Sequence, residues 1–214
     1  GGGLRHVAVD GTISGSTFSG NRATSGSFAG SYDDGGAIYM SNGSMSLTND
    51  TNVTGNSADG NGGGIFVSTG ALTVSGGKIG WRDTGQGNTA TGDGGGIYVA
   101  EGTVALNSTV LVYGNTAVNG AGVHVRGGSL TVTGANIGST AMGEGNVASG
   151  NGGGIYLDSW GTLQMSTKGA SVGGNRAAQG AGVYVNGGQM TTTNGHISSN
   201  TATTAGGAIY VASG

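Results

Sequence analysis

The chain has 214 residues, of which 52 are glycine and none is proline or cysteine; 8% are charged, and the formal net charge is −3. So small a charge with no basic patch excludes a nucleic-acid interface, and no apolar run approaches membrane-spanning length. Without cysteine there is no disulfide framework. This much glycine would ordinarily signal low complexity, but the glycines recur in register with a repeat, and the repeat organises the chain.

In chain order, Val7-Ala8-Val9 reads as a strand of an incomplete opening coil, with Ile13 as a buried site and Ser14–Gly20 as a long connection to Asn21-Arg22-Ala23. After a further excursion, Thr24–Asp34, comes Gly35-Gly36-Ala37-Ile38-Tyr39-Met40. The same pattern of three small residues, Ile or Val, a mostly aromatic residue and an apolar one returns at Gly62–Val67, Gly94–Val99, Gly120–Val125, Gly152–Leu157, Gly180–Val185 and Gly206–Val211. The copies lie 26 to 32 residues apart, the mark of a solenoid in which each repeat stacks on the last. Glycine before an apolar strand supplies a sharp turn. The absence of proline fits strands paired on both sides.

A second strand follows each motif, as in Met45-Ser46-Leu47-Thr48, Leu72-Thr73-Val74-Ser75 and Leu130-Thr131-Val132-Thr133, with the period-2 alternation of a one-sided strand. A third apolar site then leads to Asn-x-Ala. Val53, Val112, Val172 and Ile197 stand three residues before their Asn, whereas Ile79 and Ile137 stand nine before, leaving Gly80–Gly87 and Gly138–Gly145 as long connections. The expectation is all-β: a right-handed parallel β-helix with three short strands per coil, 26–32 residues per coil and six to seven coils. It forms a single domain over 1–214, uncapped at both ends. Parallel crossovers favour the right-handed form.

The repeats also carry a resemblance. Gly35-Gly36-Ala37-Ile38 and Gly206-Gly207-Ala208-Ile209 match the GGAI repeat, and Phe18-Ser19-Gly20-Asn21 matches the FxxN repeat. Both resemble the polymorphic outer-membrane protein family, and the resemblance implies a β-helical passenger displayed at the cell surface as an adhesin, as in autotransporters.

Three columns are candidate sites. The residue after Ile or Val is Tyr39, Phe66, Tyr98, His124, Tyr156, Tyr184 and Tyr210. Alternation turns this column away from the core, where it would either brace the sheet as a cross-strand ladder or offer a stacking surface to a glycan or protein partner. Asn21, Asn56, Asn88, Asn115, Asn146, Asn175 and Asn200 are expected to form a structural ladder of stacked amides. Four residues before Ile or Val stand Asp34, Asn61, Asp93, Asn119, Asn151, Gln179 and Ala205, read as turn residues before glycine. Asp34 and Asp93 would lie about 10 Å apart, near the carboxylate separation of an inverting glycosidase.

No carboxylate cluster supplies the ligands calcium wants, and the three histidines share no column, so no catalytic residue, metal or cofactor is expected. Outward Ser and Thr rows such as Ser46/Thr48, Thr73/Ser75, Thr131/Thr133 and Thr191/Thr193 resemble ice-binding faces, though Ala105 and Gln164 interrupt them. The function expected is a non-catalytic extracellular adhesin stalk or structural repeat unit. The alternatives are a filament subunit stacking head to tail and an ice-binding or polysaccharide-degrading β-helix. Partners would be a second copy of the chain, end to end or side by side, or a glycan or other ligand on a neighbouring cell surface. Nucleic acid and membrane insertion by this segment are not expected.

Overall fold

A computed structural model describes residues 2–25, 33–81, 83, 85–107, 109–139 and 144–212. Among them are 29 strands and no helix. The strands form four sheets that run the length of the molecule, each joining one strand per coil to its counterpart in the next. The first sheet has eight strands and the other three have seven each. Pairing is parallel throughout and mostly in register, as in Ile38↔Ile65, Ile97↔Val123 and Val183↔Ile209. The protein is thus a parallel β-solenoid.

The four-sheet coil corrects the expected three strands. Asn-x-Ala is a corner whose last two residues pair as a fourth strand, for example Ser57–Ala58 and Thr89–Ala90. Two residues are too few to show a period, so the sequence reads only as a turn. The alanines are there because the space is narrow: Ala90, Ala117, Ala148 and Ala177 pack with Ala121 and Ala181 in a small cluster of their own.

The opening coil also differs from expectation. Leu4–Val7 is the strand that pairs with the first motif, through Leu4↔Ile38, Arg5↔Tyr39 and His6↔Met40. Val7 and Val9 are exposed, so their apolar alternation does not mark a buried strand. Asp10–Ser14 is the second strand, with Ile13 opposite Leu47, and Phe18 stands opposite Val53 in the third. Ser14–Gly20 is therefore no long connection. The opening segment holds four strands where two were expected. Most of Thr24–Asp34 lies outside the described residues.

The core is one continuous column. Ile38, Leu47, Val53, Ile65, Leu72, Ile79, Ile97 and their successors up to Val185 are buried in a single cluster. Burying each such side chain contributes about 1.5–3 kcal/mol, which no single coil could collect alone. The first glycine of each motif makes the turn into this column. Gly94 has φ of 69°, and a Cβ there would lie 2.6 Å from the Ile97 carbonyl oxygen. The equivalent position is glycine in every motif copy.

Candidate functional site

The aromatic column stands on the outer side of the first sheet, and its geometry is that of a continuous stack. From Tyr39 through Phe66, Tyr98, His124, Tyr156 and Tyr184 to Tyr210, successive ring centroids are 4.7 to 5.2 Å apart and tilted by 4 to 17°. This repeat equals the spacing of parallel strands, so in-register pairing alone sets the stack. The Arg5 guanidinium continues it, 5.8 Å from the Tyr39 centroid. Tyr39, Phe66, Tyr98, His124 and Tyr184 are buried, and Tyr156 and Tyr210 half-buried. The ring faces are therefore occupied by one another, and a ligand would meet edges and hydroxyls. Burial pushes the Tyr98 and Tyr156 phenols above their ordinary value.

His124 is the one titratable base in this stack. Its Nδ1 is 3.7 Å from Asp93 Oδ2 and has no hydrogen-bond partner among the described residues. Burial holds the imidazole below its ordinary value; the carboxylates of Asp93 and Asp158 pull the other way, and Arg126 adds to the lowering.

The seven asparagines form a ladder along the corner before the fourth sheet. From Asn21 to Asn175, each backbone N–H and each side-chain amide donates to Oδ1 of the Asn one coil further on, as from Asn88 to Asn115 at 3.0 Å for both. The same amide also donates to a carbonyl one coil back: Asn88 to Val53, Asn115 to Ile79, Asn146 to Val112. Asn56, Asn88, Asn115, Asn146 and Asn175 are fully buried.

The column that includes Asp34 and Asp93 is a second ladder. Asn61 N–H donates to Asp34 Oδ1, Asp93 N–H to Asn61 Oδ1, Asn119 N–H to Asp93 Oδ1 and Asn151 N–H to Asn119 Oδ1. One oxygen of each of these aspartates is thus engaged by the next coil's backbone. Burial raises the Asp34 carboxyl despite the bond from Asn61. Among the described residues no three His, Cys, Asp or Glu side chains gather as a metal site. The Ser/Thr rows of the second sheet are in register, with Ala105 and Gln164 interrupting them.

A cluster that sequence reasoning missed lies on the outer face of the third sheet. Lys78 Nζ sits 3.4 Å from the Trp81 ring centroid, Trp81 meets Tyr113 at 5.3 Å, and Trp81 Nε1 donates to Asp83. Beside Tyr113 opens a cleft of about 380 Å³, bounded by Leu111, Tyr113, Asn136, Ser139, Glu144 and Ser171 over the backbone of Gly138 and Gly173. The signal was present: the long connections after Ile79 and Ile137 bracket the coil of Val112, whose own connection is short. Residues 82, 84 and 140–143 of those connections lie outside the described residues. A second recess lies between Arg126, Glu101 and Trp160, a residue that is 81% exposed.

Four parallel sheets, uninterrupted ladders and repeats at every coil define a solenoid repeat protein. Its repeats match the Chlamydia polymorphic membrane protein repeat at residues 15–41, 50–68, 86–100 and 194–212. Each matched stretch from 50 onward ends one residue past the motif strand of the first sheet, after the Asn corner. The matched stretches cover 80 of the 214 residues, and together with the fold they fit a β-helix similar to those of the polymorphic outer-membrane protein type. No curated protein and no solved structure matches it.

Proposed function

We propose that the chain is a non-catalytic adhesin segment, displayed outside the cell, in which the β-helix is a stiff stalk and its side faces make contact with ligands. The observation that carries this reading is the continuity of the ladders. Asn21 to Asn200, and Tyr39 to Tyr210, link every coil to the next by side chains as well as by backbone. Such redundancy rigidifies an axis, which is what a stalk requires. The strands from which the long connections leave sit at fixed heights along one face, and loops on a rigid scaffold are the usual place for binding residues. The repeat match to a surface-associated type supports the extracellular placement.

The test is adhesion. Beads coated with the folded chain are counted on cultured epithelial cells and on neighbouring bacterial cells, against beads coated with an unrelated β-helix of equal length. Retention well above the control on either cell type is the expected result. Retention equal to the control, or release of reducing ends from surface polysaccharide by the soluble chain, overturns the reading.

A further inference from the structure

We infer that the recess at Trp160 is a glycan subsite that takes one pyranose unit of a neutral oligosaccharide; the inference rests on the adhesin reading and names its ligand class. The site starts from one extra residue. Between the first-sheet and second-sheet strands, residues 100–102, 126–128 and 186–188 make turns of three, whereas 158–161 makes a turn of four. Gly161 N–H closes it on the Asp158 carbonyl at 2.8 Å, the bond of a β-turn. Asp158 Oδ1 accepts from Ser159 N–H and from the Asn186 side-chain amide, both at 3.0 Å, and Ser159 Oγ donates to the Asn186 carbonyl at 3.3 Å. The turn is thus tied to the next coil, and it holds Trp160 with 81% of the residue exposed. Tryptophan is highly buried on average, and the fold does not require one here. Two residues before the paired Thr103, Ser129, Thr162 and Gln189 stand Glu101, Gly127, Trp160 and Gly187. With glycine on either side, neither neighbour in this column has a side chain to cover the Trp160 ring, whereas the first-sheet rings cover one another.

Half-buried Gly127 is the floor of the gap. Trp160 stands one coil beyond it and Glu101 one coil before, so the two walls are two strand spacings apart, about 10 Å. Both stems flank the glycine: a Cβ placed on Gly127 would lie 3.7 Å from Trp160 Cβ and 3.8 Å from Glu101 Cγ. Arg126 and Ala100 complete a recess of about 420 Å³, within the roughly 300–1,000 Å³ of ligand pockets. The lining chemistry selects the ligand. Trp160 supplies a flat apolar surface, and a pyranose ring carries a matching face of C–H groups. The Glu101 carboxylate accepts hydrogen bonds, and the Arg126 guanidinium has five N–H donors, more than the nearby Tyr98 hydroxyl can take. Neighbouring sugar hydroxyls use groups of both kinds. A nucleic acid or a sialylated sugar gains at Arg126 and loses at Glu101, and a cationic ligand gains at Trp160 and Glu101 and loses at Arg126. An uncharged ring meets neither penalty. An extended peptide adding to the sheet has no edge here, because Ser129–Val132 is paired on both sides.

Saturation-transfer NMR on the whole chain tests this with lactose, diacetylchitobiose and methyl α-mannoside as neutral probes and sialyllactose as the anionic one. Transfer to at least one neutral probe, with a Kd on the order of 1 mM and weaker transfer to sialyllactose, is the expected result. Trp160→Ala should weaken that binding about tenfold or more, the scale of one stacked contact. Its thermal midpoint should match that of the parent chain, because the residue lies outside the core. Glu101→Gln keeps the size and removes the charge, so it should raise transfer to sialyllactose relative to the neutral probe. No transfer to any neutral probe, transfer undiminished in Trp160→Ala, a preference for sialyllactose in the parent chain, or a ratio unmoved by Glu101→Gln overturns the inference. Beads that adhere while the probes give no transfer remove the subsite and leave the adhesin reading. Transfer that depends on Trp160, from a chain whose beads do not adhere, removes the adhesin reading and leaves the subsite.

Discussion

Removing one buried rung of the asparagine ladder tests how the coils are held together. In Asn115→Ala the protein loses four side-chain hydrogen bonds: two accepted from Asn88, and those donated to Ile79 and Asn146. They are not equal losses. The Ile79 carbonyl keeps Tyr113 N–H, Asn146 Oδ1 keeps Asn115 N–H, and the Asn88 amide keeps Val53. The Asn88 backbone N–H loses its bond to Asn115 Oδ1 at a site sealed from water. A buried unsatisfied donor costs about 1–3 kcal/mol; the lost second bond of the Asn88 amide adds roughly 1 kcal/mol. The expected destabilisation is about 3 kcal/mol. Asn200→Ala removes the same kind of rung where Asn200 is half-exposed. Water replaces much of what is lost there, so about 1 kcal/mol or less is expected. Urea unfolding followed by circular dichroism measures both, with the slope checked for constancy. Equal costs at the two positions, or less than about 1 kcal/mol at Asn115, would refute the ladder argument.

Acid should weaken the fold through His124. Its imidazole sits below 6.5 when folded and near that value when unfolded, so as pH falls the unfolded state takes the proton first and stability drops. His124→Tyr should flatten the decline in melting temperature below about pH 6.5; an unchanged slope removes His124 as the cause. Phe66→Ala, which breaks two stacked contacts and leaves a gap, is expected to cost about 3 kcal/mol, and Phe66→Tyr almost nothing, both read by denaturant titration. Gly94→Ala should cost at least about 2 kcal/mol from left-handed strain and the contact with the Ile97 carbonyl oxygen; a thermal midpoint equal to that of the parent chain would contradict the turn assignment.

Much of the architecture was legible because its cause is periodic. Ile38, Ile65 and Ile97 repeat with the coil, and the residue after each must leave the core, so the column of Tyr39, Phe66 and Tyr98 follows from alternation alone. Alternation gives the side of the sheet but not the depth. The rings are buried because each covers the next at strand spacing, which depends on register between coils. Leu4–Val7 was hidden because, although Gly1-Gly2-Gly3 precedes it, Arg5 and His6 stand where its counterparts carry an aromatic and an apolar residue; Arg5 keeps the place of a ring in the stack. The cleft was less legible still. It lies over Gly138 and Gly173, which are 35 residues apart in sequence and one strand apart in space.

The direction of the backbone hydrogen bonds has a mechanical meaning. In all four sheets they point along the rod from coil to coil, so tension applied through the chain loads them end-on, a few at a time, and does not shear a whole sheet. A tethered rod of this kind yields by peeling. Each released coil of roughly 30 residues pays out about 100 Å of chain at 3.3–3.6 Å per residue, while the coils behind it keep their ladders. A rod built this way lengthens in steps under tension before it comes apart.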